Sequence, residues 1–109
     1  VNVASLTGHR PKPERPGYVA SKAATIQMTK SMAAEFAPEI RINSVSPGLI
    51  DTDMAKMLSE EERAEITKLF PAKRLGRPEE IAKAILFLSC DDSTYAYGAD
   101  FCIDGGDSI

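Results

Sequence analysis

The sequence predicts an α/β chain, a doubly wound parallel sheet of three short strands joined by crossover helices. Three observations carry this. Short β-forming apolar runs stand near the start, middle and end of the chain, at residues 1–5, 40–45 and 99–103. Between them lie longer stretches with apolar residues at helical spacing. The resulting order, strand, helix, strand, helix, strand, implies parallel pairing through right-handed crossovers.

The elements follow in order. Val1-Asn2-Val3-Ala4-Ser5 reads as a parallel strand, mostly apolar because both its faces would be buried. Ser5 falls at its carboxyl end, where open α/β sheets place their chemistry. Taken alone, a serine there is more often the turn residue that finishes a strand. Residues 8–17 form a polar loop that Pro11, Pro13 and Pro16 keep out of any sheet. His9, the single histidine, reads as a loop residue, because no second metal ligand lies at ligating spacing. Arg10, Lys12 and Arg15 read as a solvated loop face, with the shaping of a substrate entrance as the other reading.

Residues 18–37 form the first long helix, and Pro38 closes it. Ala20, Ala23, Ala24 and Ala33 allow close approach of a neighbour, while Ile26, Met28, Met32 and Phe36 supply apolar bulk. Residues 40–45 form the second strand, which Pro47-Gly48 breaks. Gly48 would let backbone approach a ligand closely. Residues 53–77 look like an excursion from the core. Within it, Ser59-Glu60-Glu61-Glu62 is a capping-box signature for a short amphipathic helix through about Phe70. Pro78 opens the last helix, with Glu79 and Glu80 at its positive end. Residues 91–98 connect it to the third strand, which Asp104-Gly105-Gly106 ends.

Composition narrows the function. The chain has 109 residues, enough for one small domain. A net charge of -3 gives no reason to expect nucleic acid, and no apolar run is long enough to cross a bilayer. Cys90 and Cys102 fit neither a metal spacing nor a disulfide framework, which points to reduced thiols in a cytoplasmic protein. No metal is called for.

Tyr18 and Lys22 are the chemical centre of the sequence. Four residues apart, they share one helix face a turn apart. An ammonium held near a phenol favours the phenolate, which makes the hydroxyl a usable general acid and base. A lone Y-x-x-x-K is more often just two surface residues on one face. Its surroundings alter that balance. Ser5 stands thirteen residues before Tyr18, the run Asn43-Ser44-Val45-Ser46-Pro47-Gly48 follows, and Ile103-Asp104-Gly105-Gly106 closes the chain.

In this order, these four motifs resemble the C-terminal half of a classical short-chain dehydrogenase/reductase. The resemblance spans essentially residues 1–109 and implies one half of a Rossmann-like catalytic domain, with residues 53–77 as a lid over the substrate. It implies that Ser5, Tyr18 and Lys22 are catalytic. It also implies that Tyr18, Lys22, Pro47, Gly48, Ile50 and Thr52 border a nicotinamide cofactor, NADP ahead of NAD. Thr52 could equally be the N-cap of the next helix. The substrate implied is a secondary alcohol or ketone. A polyol or ketose is the first guess, because the tail from Ser93 to Asp100 is similar to that of sugar-alcohol members. An acyl-carrier ketoreductase is the enzymatic rival, and the wider tyrosine-lysine spacing of the enoyl reductase branch disfavours that one. A non-catalytic binding or oligomerisation module is the other class. The family's glycine-rich turn is missing from the sequence, so the expected partners are an N-terminal half of the same fold and further copies, as dimer or tetramer.

Overall fold

The computed structural model describes residues 1–13 and 15–109, and Glu14, inside the expected loop, lies outside them. Three parallel strands, β1 (Asn2–Val3), β2 (Ser44–Pro47) and β3 (Asp100–Ile103), form one sheet in that order. Helix α1 (Pro16–Phe36) connects β1 to β2. Helices α2 (Glu60–Leu69) and α3 (Pro78–Ser89) lie between β2 and β3.

The two faces of the sheet are covered differently. Val45 packs with Ile81 and Leu88 of α3, and Ile85, Phe101 and Ile103 close around them. Asn2 and Ser44 are in register, so their side chains share the face opposite Val45. On that face, Asn2 Nδ2 donates to Thr29 Oγ1 of α1 over 2.9 Å. The sheet is therefore doubly wound, with α3 on an apolar face and α1 on a polar one. With the strands in the order β1-β2-β3, the two connections have opposite hands, so the expectation of right-handed crossovers throughout is not met. The α1 side is held by small groups, with Ile26, Thr29 and Ala33 buried.

Both expected strands at the amino side are shifted or shortened. β1 covers two residues rather than five, and Val1 and Val3 are 44% and 49% exposed rather than buried. The reason is position: β1 pairs only with β2, and the apolar cluster under α3 forms on Val45 and β3, leaving Val3 at its margin. β2 starts at Ser44 rather than at residue 40 and includes Pro47. Ahead of it, Gly98 N still donates to Ile42 O, and Asn43 adds side-chain bonds to the same stretch. Its Nδ2 donates to Ala96 O over 2.8 Å, and its Oδ1 accepts from Ala99 N over 2.9 Å. Arg41 reaches the carbonyls of Leu88, Cys90 and Ser93, satisfying acceptors at the end of α3.

Pro47 fits the strand because of its direction. Ser44 N and Gly48 N both donate to the β3 side, to Ala99 O and Ile103 O, whereas Val45 O accepts from Ala4 N on the β1 side. Residues alternate sides along a strand, so Pro47 faces the β1 side, where β1 has already ended. Its missing N–H breaks no ladder bond.

The helix signals hold well. The Ser59 side chain accepts from Glu62 N, and the Glu62 carboxylate accepts from Ser59 N. Pro78 stands in the first turn of α3. Glu80 bonds Arg74 through two oxygens at 2.7 and 2.8 Å and accepts from Arg77 N. These bonds, led by the one from the Arg74 side chain, hold its carboxyl down at about 2. No helix among the described residues is long and apolar enough to cross a membrane.

Candidate active site

Ser5 leaves β1 and caps a single 3-10 turn, Leu6–Gly8. Its Oγ accepts from Thr7 N at 3.3 Å and from Thr7 Oγ1 at 3.0 Å. Two accepted bonds leave the Ser5 proton free to be donated elsewhere. The plain reading of a strand-ending turn residue and the functional reading thus describe the same atom.

Gly8 brings this turn against α1. A Cβ there would stand 2.9 Å from the Lys22 backbone carbon and oxygen and 2.8 Å from Ile26 Cδ1. Only a bare α-carbon lets the Ser5 turn lie flat on the helix turn that carries Lys22. Tyr18 stands in the first turn of α1, and Lys22 Nζ lies 5.6 Å from its ring centroid. The same ammonium donates to Val3 O over 3.0 Å, which fixes it beside β1.

Across the carboxyl ends of the strands, Leu49 O accepts from Gly76 N, and Asp51 N donates to Gly76 O. These two bonds straddle Ile50, which forms a parallel bridge with Gly76. In such a bridge the straddled residue's own N–H and C=O point away from the partner strand. Thr52 is exposed, and its hydroxyl donates to Ile50 O over 3.4 Å. Gly48 carries a second constraint. A Cβ there would meet Asp104 Cα at 2.7 Å, so its lack of a side chain is required by the closing segment of the chain.

All seven expected residues line one cleft of about 380 Å³: Ser5, Tyr18, Lys22, Pro47, Gly48, Ile50 and Thr52. Met54, Ala55, Met57 and Leu58 form its opposite wall. A second cavity of about 320 Å³ adjoins it and shares Ser5, Arg15, Tyr18, Pro47, Gly48, Leu49 and Met54. No cluster of metal-ligating side chains exists among the described residues.

Some features escaped the sequence reading. His9 Nε2 lies 2.6 Å from Asp100 Oδ2, a carboxylate with only 7% of its side chain exposed. Burial by itself would raise that carboxyl, but hydrogen bonds from Ser44 and His9 outweigh it and hold it below its ordinary range. The buried Ser46 hydroxyl contributes at longer range only, since it has no partner within hydrogen-bond distance. Arg10 and Lys12 both reach Asp107, at 3.5 and 3.4 Å. The loop after Ser5 is thus tied to the far end of the chain rather than simply solvated. Ninety-one residues separate His9 from Asp100, and no local signal marks that pairing. Burial and Asp104 push the Cys102 thiol up to about 11, and both cysteines are free.

A three-strand parallel sheet, helices on both faces and a cleft at the carboxyl edge define a Rossmann-like α/β fold. Residues 1–108 match the family described as Enoyl-(Acyl carrier protein) reductase, and the chain belongs to the short-chain dehydrogenase/reductase family. It is 46% identical over 107 residues to 3-oxoacyl-(acyl-carrier-protein) reductase FabG of Thermotoga maritima, covering 97% of this chain and 44% of that one. It is 43% identical over 106 residues to cyclohexanol dehydrogenase of Acinetobacter sp., covering 96% and 41%. Among solved structures, it is similar to a glucose/ribitol dehydrogenase-type protein of Brucella melitensis, with TM-score 0.94, 36% identity and coverage of 98% and 44%. It is equally similar to 4-hydroxyisoleucine dehydrogenase complexed with NADH, with TM-score 0.94, 38% identity and coverage of 98% and 45%. The chain spans less than half the length of these relatives.

Proposed function

We propose that these residues are the catalytic half of an NAD(P)-dependent oxidoreductase that interconverts a secondary alcohol and a ketone. One observation carries the reading: Ser5, Tyr18, Lys22, Pro47, Gly48, Ile50 and Thr52 meet in a single cleft although forty-seven residues separate the first from the last. In this reading the Tyr18 hydroxyl gives a proton to, or takes it from, the substrate oxygen. Ser5 donates its remaining proton to the same oxygen and stabilises charge developing there. Lys22 keeps two of its three protons after the bond to Val3 O, enough for a pair of ribose hydroxyls.

The cleft offers what a nicotinamide carboxamide needs. The Ile50 N–H and C=O lie off the Gly76 bridge, the Pro47 carbonyl faces the side where β1 has ended, and Thr52 adds a hydroxyl. When bound, the cofactor supplies or accepts the hydride. NADP is kept ahead of NAD from the family resemblance, although one structural neighbour carries NADH. The substrate assignment rests on the relatives' range: a polyol or ketose fits the sugar-type neighbours, and a 3-oxoacyl thioester is the second reading, favoured by the FabG relatives. Residues 53–77 act as the lid, since their Met54, Ala55, Met57 and Leu58 form the outer wall. An N-terminal half of the fold would pair along the outer edge of β1, with assembly into dimers or tetramers in the cytoplasm. The exposed Met28 and Phe36 on α1 support a contact between copies.

The test uses the natural protein that carries these residues. NADPH and NADH oxidation is followed with a ketose, cyclohexanone and a 3-oxoacyl thioester, alongside cofactor titration. Turnover that Tyr18→Phe abolishes supports the reading. A protein that binds neither cofactor and turns over none of these is a binding or oligomerisation module.

A further inference from the structure

The mouth of the cleft has an uneven charge arrangement. Residues 10–15 carry Arg10, Lys12 and Arg15 against Glu14. Arg10 and Lys12 are spent on Asp107. Arg15 has no ion pair and no side-chain hydrogen bond among the described residues, and it makes no cap to α1. It stands three residues before Tyr18 and lines both adjoining cavities, together with Ser5 and Tyr18. Leu6, Val19 and Met54 line the same outer cavity, whose other charged lining groups, Lys12 and Asp107, are paired with each other.

Resting on the dehydrogenase reading above, we propose that Arg15 determines specificity and selects substrates bearing an oxyanion, a carboxylate or a phosphate, beyond the reacting carbonyl. A guanidinium presents five donors in a planar fork that matches either anion through two parallel bonds. It is weakly hydrated, so meeting an anion in a partly apolar cavity sacrifices less solvation than an ammonium would. With the substrate oxygen on Tyr18 and Ser5, the anion on Arg15 sets which way the rest of the molecule lies. A neutral ketone would have only the two hydroxyls to orient it. Two sources of the anion share this chemistry: the carboxylate of a small oxo acid, and the phosphate of a phosphopantetheine arm.

The experiment uses the full natural protein and two matched pairs: straight-chain oxo acids against their methyl esters, and a 3-oxoacyl phosphopantetheine thioester against its phosphate-free pantetheine counterpart. The readout is the ratio of kcat/KM within each pair. Wild type should favour the charged member of at least one pair by tenfold or more, mainly through KM. Arg15→Ala should collapse that ratio toward one, and Arg15→Lys should restore part of it. The pair whose ratio collapses identifies the source. A wild-type ratio near one in both pairs overturns the proposal, as does a ratio that Arg15→Ala leaves unchanged. If wild type turns over none of the four classes yet reduces a ketose or cyclohexanone, the Arg15 proposal is overturned while the dehydrogenase reading stands. If it reduces none of these with either cofactor, the dehydrogenase reading falls and takes the Arg15 proposal with it.

Discussion

The two walls of the cleft are built in opposite ways. The inner wall, carrying Ser5, Tyr18 and Lys22, is assembled from contacts between residues far apart in sequence: Lys22 to Val3, Gly8 against Lys22, Asn2 to Thr29 and His9 to Asp100. The outer wall comes from residues 54–58, and the side-chain bonds of residues 53–69 run to neighbours in sequence, whereas residues 70–76 are tied to Gly105 and Leu49. Lys56 pairs with Asp53, Lys68 with Glu65, and Ser59 with Glu62. Helix α2 has no buried residue, and Met54 and Met57 are 65% and 80% exposed. A group that must meet a proton at a fixed distance belongs on the first kind of wall. A surface that shapes itself to a substrate can be built as the second.

Substitutions can break this contrast. Tyr18→Phe removes the proposed proton donor and leaves packing nearly intact, so kcat should fall by about 10² to 10⁴ while cofactor affinity changes little. Steady-state rates and a cofactor titration on the same sample separate the two. Gly8→Ala drives a Cβ into the Lys22 backbone, and overpacking of that kind costs roughly 1–3 kcal/mol. Melting temperature and kcat should fall together, because the Ser5 turn lifts from α1. A variant that melts lower with unchanged kcat would show that the inner wall tolerates a shifted turn.

The outer wall and its hinge to α3 should respond more weakly. Glu80 has its carboxyl held at about 2 in the folded chain, below its ordinary 4.5. A depressed carboxyl stabilises the fold above the unfolded value, and that contribution is lost as the pH drops through the folded one. The melting gap between wild type and Glu80→Gln should therefore be constant near neutrality and close between about 4.5 and 2. Thermal melts across that range check it, and a gap that persists at the acid end would assign the effect to packing. Ser59→Ala should have the smallest effect. Losing the cap costs roughly 1 kcal/mol, felt within α2 alone, as about fivefold faster amide exchange at residues 60–69 with the global melt unchanged.

The contrast also explains what the sequence revealed. Local rules marked α2 and α3, because a capping box and a first-turn proline act within four residues. Ser5, Tyr18 and Lys22 stood out through the family resemblance, while spacing alone set only Tyr18 and Lys22 one helix turn apart. Strand limits were harder to read. Asn43 turns its amide to Ala96 and Ala99, which no periodicity announces, and the exposure of Val3 depends on which strands flank β1. Gly48 lines the cleft, and its bare α-carbon is also required by Asp104, fifty-six residues on, a contact no local signal announces. Arg15 sat in a short basic cluster whose other members turned out to be tethered. Its place in both cavities emerges only once α1 and the Ser5 turn are docked.

The bond from Lys22 to Val3 has a further meaning. Asn2 N and Ala4 N both donate toward β2, so Val3, between them, turns its carbonyl to the unpaired margin of the sheet. That oxygen is where a fourth strand would place an N–H, and here an ammonium occupies it. A strand arriving at this margin would have to share the oxygen with Lys22 or displace it, leaving the ammonium freer to turn toward the ribose. One acceptor atom thereby links the completeness of the sheet to where the charge beside Tyr18 rests.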